Sequence, residues 1–285
     1  MTLGENELEE LAEVAARAAR AAGDVISSQR ATKIEKKSGM RGASQWVTDV
    51  DRRAEEIILA ILAPTLEQFA LGLLTEERED DCSRFDSEFF WCVDPLDGTL
   101  PFLEGVGGYA VSIALVSRQG EARLGAVYDP TSGDLYQARA GGRLTCNGEL
   151  WQQPAQGPKL SVFVDRSFLA RTDYAAIAEK LEGIAQKLGL GPLAICSGAG
   201  AVMNACQVLR EPRACYLKLP KAAAGGGSVW DFAATACIVK AAGAIATDMH
   251  GDELELNRAD STFMNHGGVL FATDEELAKC LRGLL

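Results

Sequence analysis

The chain has 285 residues, 47% hydrophobic and 24% charged, which supplies apolar material for one large or two modest cores and excludes a disordered chain. Its 28 Lys and Arg against 40 Asp and Glu give a formal charge of −12, with no basic cluster interleaved with aromatics, so neither a nucleic-acid polymer nor an anionic membrane surface is an expected partner. There is no apolar run of the roughly 18 residues a membrane span needs and no basic-then-hydrophobic leader, so a cytoplasmic setting is expected.

Glu5 to Gln29 carries Leu8, Leu11, Ala15, Ala18, Ala22 and Val25 at three- and four-residue spacing, which predicts an amphipathic helix. The basic stretch from Ala31 to Gly42, with Lys33, Lys36, Lys37 and Arg41, reads as a lid that brings positive charge to a site. Asp51 to Leu62 predicts a second helix, ended by Pro64. Leu71 to Leu74 is a short apolar run leading into Thr75-Glu76-Glu77, and Glu88 to Val93 reads as a strand. Strands follow at Ala110 to Val116, Ala122 to Tyr128 and Leu135 to Arg139, so the first half reads as two helices plus an antiparallel sheet.

Gln152 to Lys159 carries two prolines, a glycine and no large apolar residue, and suggests a boundary between domains 1–151 and 152–285. Beyond it, strands at Leu160–Val164, Pro192–Cys196 and Ala214–Leu219 alternate with helices at Asp173–Leu188, Ala199–Arg210 and Trp230–Ala242. A late strand near Gly268–Ala272 and a helix at Asp274–Leu281 complete a layered α/β unit.

The chemistry centres on Asp94-Pro95-Leu96-Asp97-Gly98-Thr99, two carboxylates three residues apart on a turn stiffened by proline and followed by a glycine and a hydroxyl. Hard divalent cations of the magnesium type take oxygen ligands, and a phosphate takes such cations together with exposed amides. Further acids stand where apolar segments end: Glu76 and Glu77, Asp49 and Asp51 after Val47-Thr48, and Asp231 after Val229-Trp230. Asp231 also fits an ordinary helix-start acid, but the glycines at 225, 226 and 227 argue for more than a cap. Eight cysteines in mostly apolar runs read as free thiols of a reducing compartment, and two histidines with no Cys-x-x-Cys pair leave a structural zinc site without ligands.

These segments resemble the magnesium-dependent inositol monophosphatase family, which includes bisphosphate nucleotidases and fructose bisphosphatases of related fold. The likeness runs from Val47-Thr48, Asp51 and Glu55 through Glu76-Glu77 and the Asp94 turn with Phe102 and Gly105. It continues in the Tyr109 to Val116 strand, Gly125 to Pro130, Tyr136, Asn147-Gly148 and Trp230-Asp231. The resemblance implies an α+β fold, a layered α-β-α-β-α sandwich whose two α/β-type subdomains are of the sugar-phosphatase type. It implies two or three Mg2+ ions held by Glu76, Asp94, the Leu96 carbonyl, Asp97 and Asp231, with Asp94 bridging two of them. Glu76, Thr99 and Asp51 would orient the attacking water, the amides of Gly98 and Thr99 would receive phosphate oxygens, and Lys36 or Lys37 would lie on the closing loop. A homodimer is an assembly that the resemblance permits. Two departures, Thr75 before the Glu-Glu pair and Ser197-Gly198-Ala199 in place of Gly-Ser-Ala, bear on subfamily and substrate.

The expected activity is hydrolysis of a small-molecule phosphate monoester, with an inositol monophosphate as first choice. The alternatives are a 3′(2′),5′-bisphosphate nucleotidase acting on 3′-phosphoadenosine 5′-phosphate and a non-catalytic, metal-dependent sugar-phosphate binder. Specificity is expected in Gly198, Ala199, Lys218 and Lys221, and an idle cluster of acids without cations would cost stability, which speaks against the binder.

Overall fold

Along the strand that carries the acidic turn, side chains alternate between two apolar layers: Phe90 and Cys92 face one, Trp91 and Val93 the other, and all four are buried. The computed structural model describes residues 3–29, 31, 33–36, 46–155 and 157–285. Its first half runs α1 (Glu5–Ser28), β1 (Ile34–Lys36), β2 (Trp46–Thr48), α2 (Asp49–Gln68), β3 (Gly72–Thr75), α3 (Ser83–Asp86), β4 (Phe89–Asp97) and α4 (Thr99–Glu104), then β5 (Ala110–Ser117), β6 (Ala122–Asp129), β7 (Asp134–Arg139), β8 (Thr145–Cys146) and β9 (Glu149–Leu150). The second half runs β10 (Leu160–Val164), α5 (Arg166–Leu169), α6 (Tyr174–Lys187), β11 (Leu193–Ser197), α7 (Ala201–Arg210), β12 (Ala214–Lys218), α8 (Val229–Ala241), β13 (Ile245–Thr247), β14 (Val269–Ala272) and α9 (Glu275–Arg282).

Strands β3 to β9 form a seven-stranded sheet in sequence order, and a five-stranded sheet has the order β11-β10-β12-β14-β13. Both faces of both sheets are covered. Trp91, Val93, Val111, Ile113 and Leu124 pack with Leu11, Ala15, Ala18 and Ile26 of α1 and Ala54, Ile58 and Leu62 of α2. The opposite face, with Phe90, Cys92, Ala114 and Val127, joins α7 and α8 and one face of the second sheet, through Phe163, Tyr216 and Phe271, in a single cluster. On the outer face of the second sheet, Val162, Val164, Leu217 and Leu270 meet Leu181 of α6 and Leu277 and Leu281 of α9. The result is the five-layer α-β-α-β-α sandwich expected.

Helix α8 forms the middle of this stack. Phe232, Ala233, Ala234, Ile238 and Val239 leave it no polar side, as a helix enclosed between two sheets requires. Its approach to β6 depends on Gly125, where an added Cβ would stand 2.3 Å from the Ala234 carbonyl oxygen.

Three expectations are corrected. Pro64 does not end α2, which continues to Gln68, because Thr65 secures the turn after the proline: its hydroxyl donates to the Leu62 carbonyl at 2.6 Å and accepts from the Trp91 indole N–H at 2.9 Å. The first sheet is mixed rather than antiparallel, since the chain between β3 and β4 crosses back through α3 and pairs Gly72 with Phe90 in parallel. The helix expected from Ala199 starts at Ala201, because Gly198 is at φ +123° and the Gly200 N–H donates to the Gly108 carbonyl at 2.7 Å. Among the described residues no helix is long and apolar enough to cross a membrane, and all eight cysteines are free thiols.

Candidate active site

Two residues three apart on a regular strand point to opposite faces, so Asp94 and Asp97 would not meet without an irregularity. The pairing of β4 with β5 supplies one. Asp94 pairs with Ser112 and Asp97 with Ala110, so three steps on one strand match two on the other, and this bulge returns both carboxylates to one face. Pro95, which has no N–H to donate, falls where the ladder lapses. The Leu96 amide donates to Asp94 Oδ1 at 3.0 Å and closes the turn.

Asp231 arrives from α8, where Ser228 is the N-cap and its amide donates to Asp231 Oδ2 at 3.0 Å. Carboxylate oxygens of Asp94, Asp97 and Asp231 all lie within 4.8 Å of one another. Glu76 joins them along the same cleft: it follows β3, and its amide donates to the Val93 carbonyl at 3.2 Å, which places it beside the residue before Asp94.

So many acids in so little space perturb one another. Burial, then repulsion from Glu76, Asp97 and Asp231, pushes Asp94 well above the usual carboxylate range. Asp97 is raised in the same way, by burial and then by Asp231, although the α7 backbone opposes the shift: the amides of Ala201 and Val202 donate to its two oxygens at 3.1 and 2.9 Å. Burial raises Asp231 to about 7. A set of buried, mutually repelling oxygens fits a hard divalent cation, which removes the repulsion and takes oxygen ligands by preference.

Asp51 approaches from the start of α2. Its Oδ2 accepts from the amide and the hydroxyl of Thr48, and its Oδ1 accepts from the Thr99 hydroxyl at 3.2 Å. That hydroxyl is also 3.4 Å from the Leu96 carbonyl oxygen. Gly98, at φ +84°, turns the chain from β4 into α4.

The cleft encloses about 690 Å³ and is lined by the three aspartates, Glu76, Leu96, Gly98 and Thr99, and also by Gly198, Ala199, Lys218 and Lys221. Lys36 lies in the exposed strand β1 and does not line the cleft, and Lys37 falls outside the described residues. Sequence reasoning missed Asp165 and Arg166, which also line it; their signal was a polar pair directly after the Leu160–Val164 strand. Gly200 packs directly on the acidic cluster, since an added Cβ there would be 2.2 Å from Asp97 Oδ2.

Lys218 is tied to Asp165 at 2.7 Å, and the other oxygen of Asp165 accepts from the Tyr216 hydroxyl at 2.9 Å. Burial works against the lysine charge, but the surrounding Asp165, Asp231 and Asp97 hold its pKa above the ordinary lysine value.

The sequence pattern of the inositol monophosphatase family matches residues 7–284 of the chain. The chain is 30% identical over 247 residues to Nus factor SuhB of Escherichia coli (strain K12), covering 84% of this chain and 85% of that protein. It is likewise 30% identical over 253 residues to the inositol-1-monophosphatase of Mesorhizobium japonicum, covering 85% and 87%. Among solved structures, extragenic suppressor protein suhB from Bartonella henselae superposes with a TM-score of 0.71 at 24% identity, covering 95% of this chain and 96% of that one, a likeness of fold.

Proposed function

The chain belongs to the inositol monophosphatase family, and from that premise we propose that its cleft hydrolyses a small-molecule phosphate monoester with magnesium held by Glu76, Asp94, the Leu96 carbonyl, Asp97 and Asp231. Membership makes it a magnesium-dependent phosphomonoesterase. The observation that carries the residue assignment is the convergence of three carboxylates, from a bulged strand and a separate helix, within 4.8 Å of one another.

When bound, magnesium supplies Lewis-acid charge to the phosphate and lowers the pKa of an adjacent water. The chain orients the rest. Asp51, held by Thr48, accepts the Thr99 hydroxyl proton in a hydrogen bond, which leaves the Thr99 oxygen to accept from the attacking water. Glu76, which lines the cleft with Thr99, is assigned as the base for that water, and the amides of Gly98 and Thr99 are assigned to phosphate oxygens. Asp97, fixed by the α7 amides, and Asp231, fixed by Ser228, would hold a cation whose positive charge stabilises the leaving oxygen. Eight free thiols support a reducing, cytoplasmic setting.

For the substrate, the relative named inositol-1-monophosphatase supports an inositol monophosphate. A second reading, 3′-phosphoadenosine 5′-phosphate, is favoured by the two lysines that line the cleft, Lys218 and Lys221. Phosphate release from inositol 1-phosphate, with and without magnesium, tests the reaction, and Asp94→Asn tests the assignment. Release that needs magnesium and vanishes in Asp94→Asn is expected. Binding without turnover would make the protein a sugar-phosphate binder instead, and turnover unaffected by Asp94→Asn would remove the proposed metal site.

A further inference from the structure

Helix α2 carries a second buried acid that the proposed reaction leaves without a part. Glu55 is 4% exposed and does not line the cleft, and its helix neighbours Ala54 and Ile58 belong to the apolar layer between α2 and the first sheet. It stands four residues after Asp51, so the two carboxylates leave one face of α2, a single helical turn apart.

The two oxygens of Glu55 are taken by the two ends of one short turn. Thr75, the last residue of β3, donates its hydroxyl to Oε1 at 2.6 Å, and the half-exposed Arg78 donates its Nε–H to Oε2 at 3.0 Å. Between these donors lie Glu76 and Glu77. The register of β3 with β4 stops at Thr75 and Val93, and the Glu76 amide adds one more bond, to the Val93 carbonyl at 3.2 Å. Glu76 therefore stands where the ladder gives out, in a cluster whose acids repel one another.

Holding a turn does not need a carboxylate. Well-packed apolar residues of similar volume are often as stabilising as a buried ion pair, whereas charge-assisted hydrogen bonds add direction. Direction matters at this place. Through Asp51 the helix fixes the Thr99 hydroxyl at 3.2 Å, and through Glu55 it fixes the turn that bears Glu76. One turn of a single helix thus sets the spacing between the two groups assigned to the attacking water. Building on the hydrolase reading, we propose that Glu55 is a positioning residue, which grips Thr75 and Arg78 and so keeps the Glu76 carboxylate in register with Asp94 and Thr99.

Thr75→Val removes the hydroxyl at nearly constant shape, Thr75→Ser keeps it, and Arg78→Met removes only the exposed half of the brace. In the full-length protein, Thr75→Val should weaken magnesium binding by calorimetry about tenfold and lower kcat for inositol 1-phosphate about 10- to 100-fold, with KM nearly unaltered. Thr75→Ser should restore both, and Arg78→Met should shift both in the same direction by a smaller factor. In a Glu76→Gln background, Thr75→Val should leave magnesium affinity unaltered, because the group that it displaces is already gone. A Thr75→Val protein that melts at a lower temperature yet keeps the magnesium affinity and kcat of the unaltered protein makes Glu55 purely structural and overturns the inference; Arg78→Met decides in the same way should Thr75→Val not fold. An equal loss of magnesium affinity with and without the Glu76 carboxylate also overturns it. No magnesium-dependent phosphate release by the unaltered protein overturns the hydrolase reading instead, and the calorimetric comparison still decides the role of Glu55.

Discussion

Replacing Gly200 by Ala isolates the steric demand that the cleft places on its second element. Gly200 caps α7 at φ −66° and ψ 171°, angles that any residue adopts, so alanine brings no backbone strain. What it brings is a methyl group 2.2 Å from Asp97 Oδ2, 2.7 Å from its Cγ and 2.8 Å from Gly98 Cα. Against an ordinary contact of about 3.5 Å, this is an overlap of roughly 1 Å with the carboxylate itself. Relief requires α7 to retreat or Asp97 to turn, and either move breaks the 3.1 and 2.9 Å hydrogen bonds from Ala201 and Val202. Overpacking of this kind costs about 1–3 kcal/mol, and displacement of a catalytic group by ~1 Å costs about 10²-fold in rate. Gly200→Ala should therefore lower kcat/KM about 100-fold and lower Tm by about 2–4 °C for each kcal/mol lost. Gly183→Ala is the control: Gly183 lies in α6 with nothing within 4 Å of an added Cβ, and that change should raise stability by about 0.5–1 kcal/mol without touching activity. Phosphate release across a magnesium titration, with thermal melting of both variants, is the assay. A Gly200→Ala protein with unaltered turnover and magnesium affinity would refute the reasoning.

Asp51→Asn should retain magnesium binding by calorimetry while kcat falls about 10²-fold, because one amide side must face donors that the carboxylate now accepts; a large loss of magnesium affinity would instead make Asp51 a ligand. Stability of the metal-free protein should depend on pH through Asp231, raised from 3.8 to about 7. The folded state keeps a proton that the unfolded chain has released, so this contribution is fully present below pH 3.8 and is lost as pH rises through about 7. Magnesium should accordingly raise Tm more at pH 8 than at pH 5, and an equal gain at both would exclude the linkage. Thr65→Val should cost about 1–3 kcal/mol in denaturant unfolding, since it leaves the buried Trp91 indole N–H without an acceptor; full stability would show that the last turn of α2 does not need Thr65.

Helices with a clear apolar stripe, α1 above all, were legible because a three-to-four-residue period has one reading. The acids were legible as residue types ending apolar runs. Their convergence was not, because Asp94 and Asp97 come to one face only through an extra residue in the β4 ladder, which no local pattern announces. The parallel pairing of β3 with β4 was equally hidden, since an apolar run of four residues does not state its direction. Pro64 misled for a related reason: the hydrogen bond that carries α2 past it comes from Trp91, 26 positions beyond Thr65. Asp165 and Arg166 needed the fold, as a strand end becomes part of a cleft only when its neighbours are known.

The enclosed position of α8 imposes an order on assembly. The seven-stranded sheet is complete by Leu150, yet Phe90, Cys92, Ala114 and Val127 on one of its faces find their cover in residues 201–241. Because synthesis runs from the N-terminus, every strand of this sheet is made some ninety residues before the end of the helix that covers one of its apolar faces. During that interval the face is open to other unfolded chains, and the helix that finally closes it is the one that delivers Asp231, so closing the core and completing the acidic cluster are a single event.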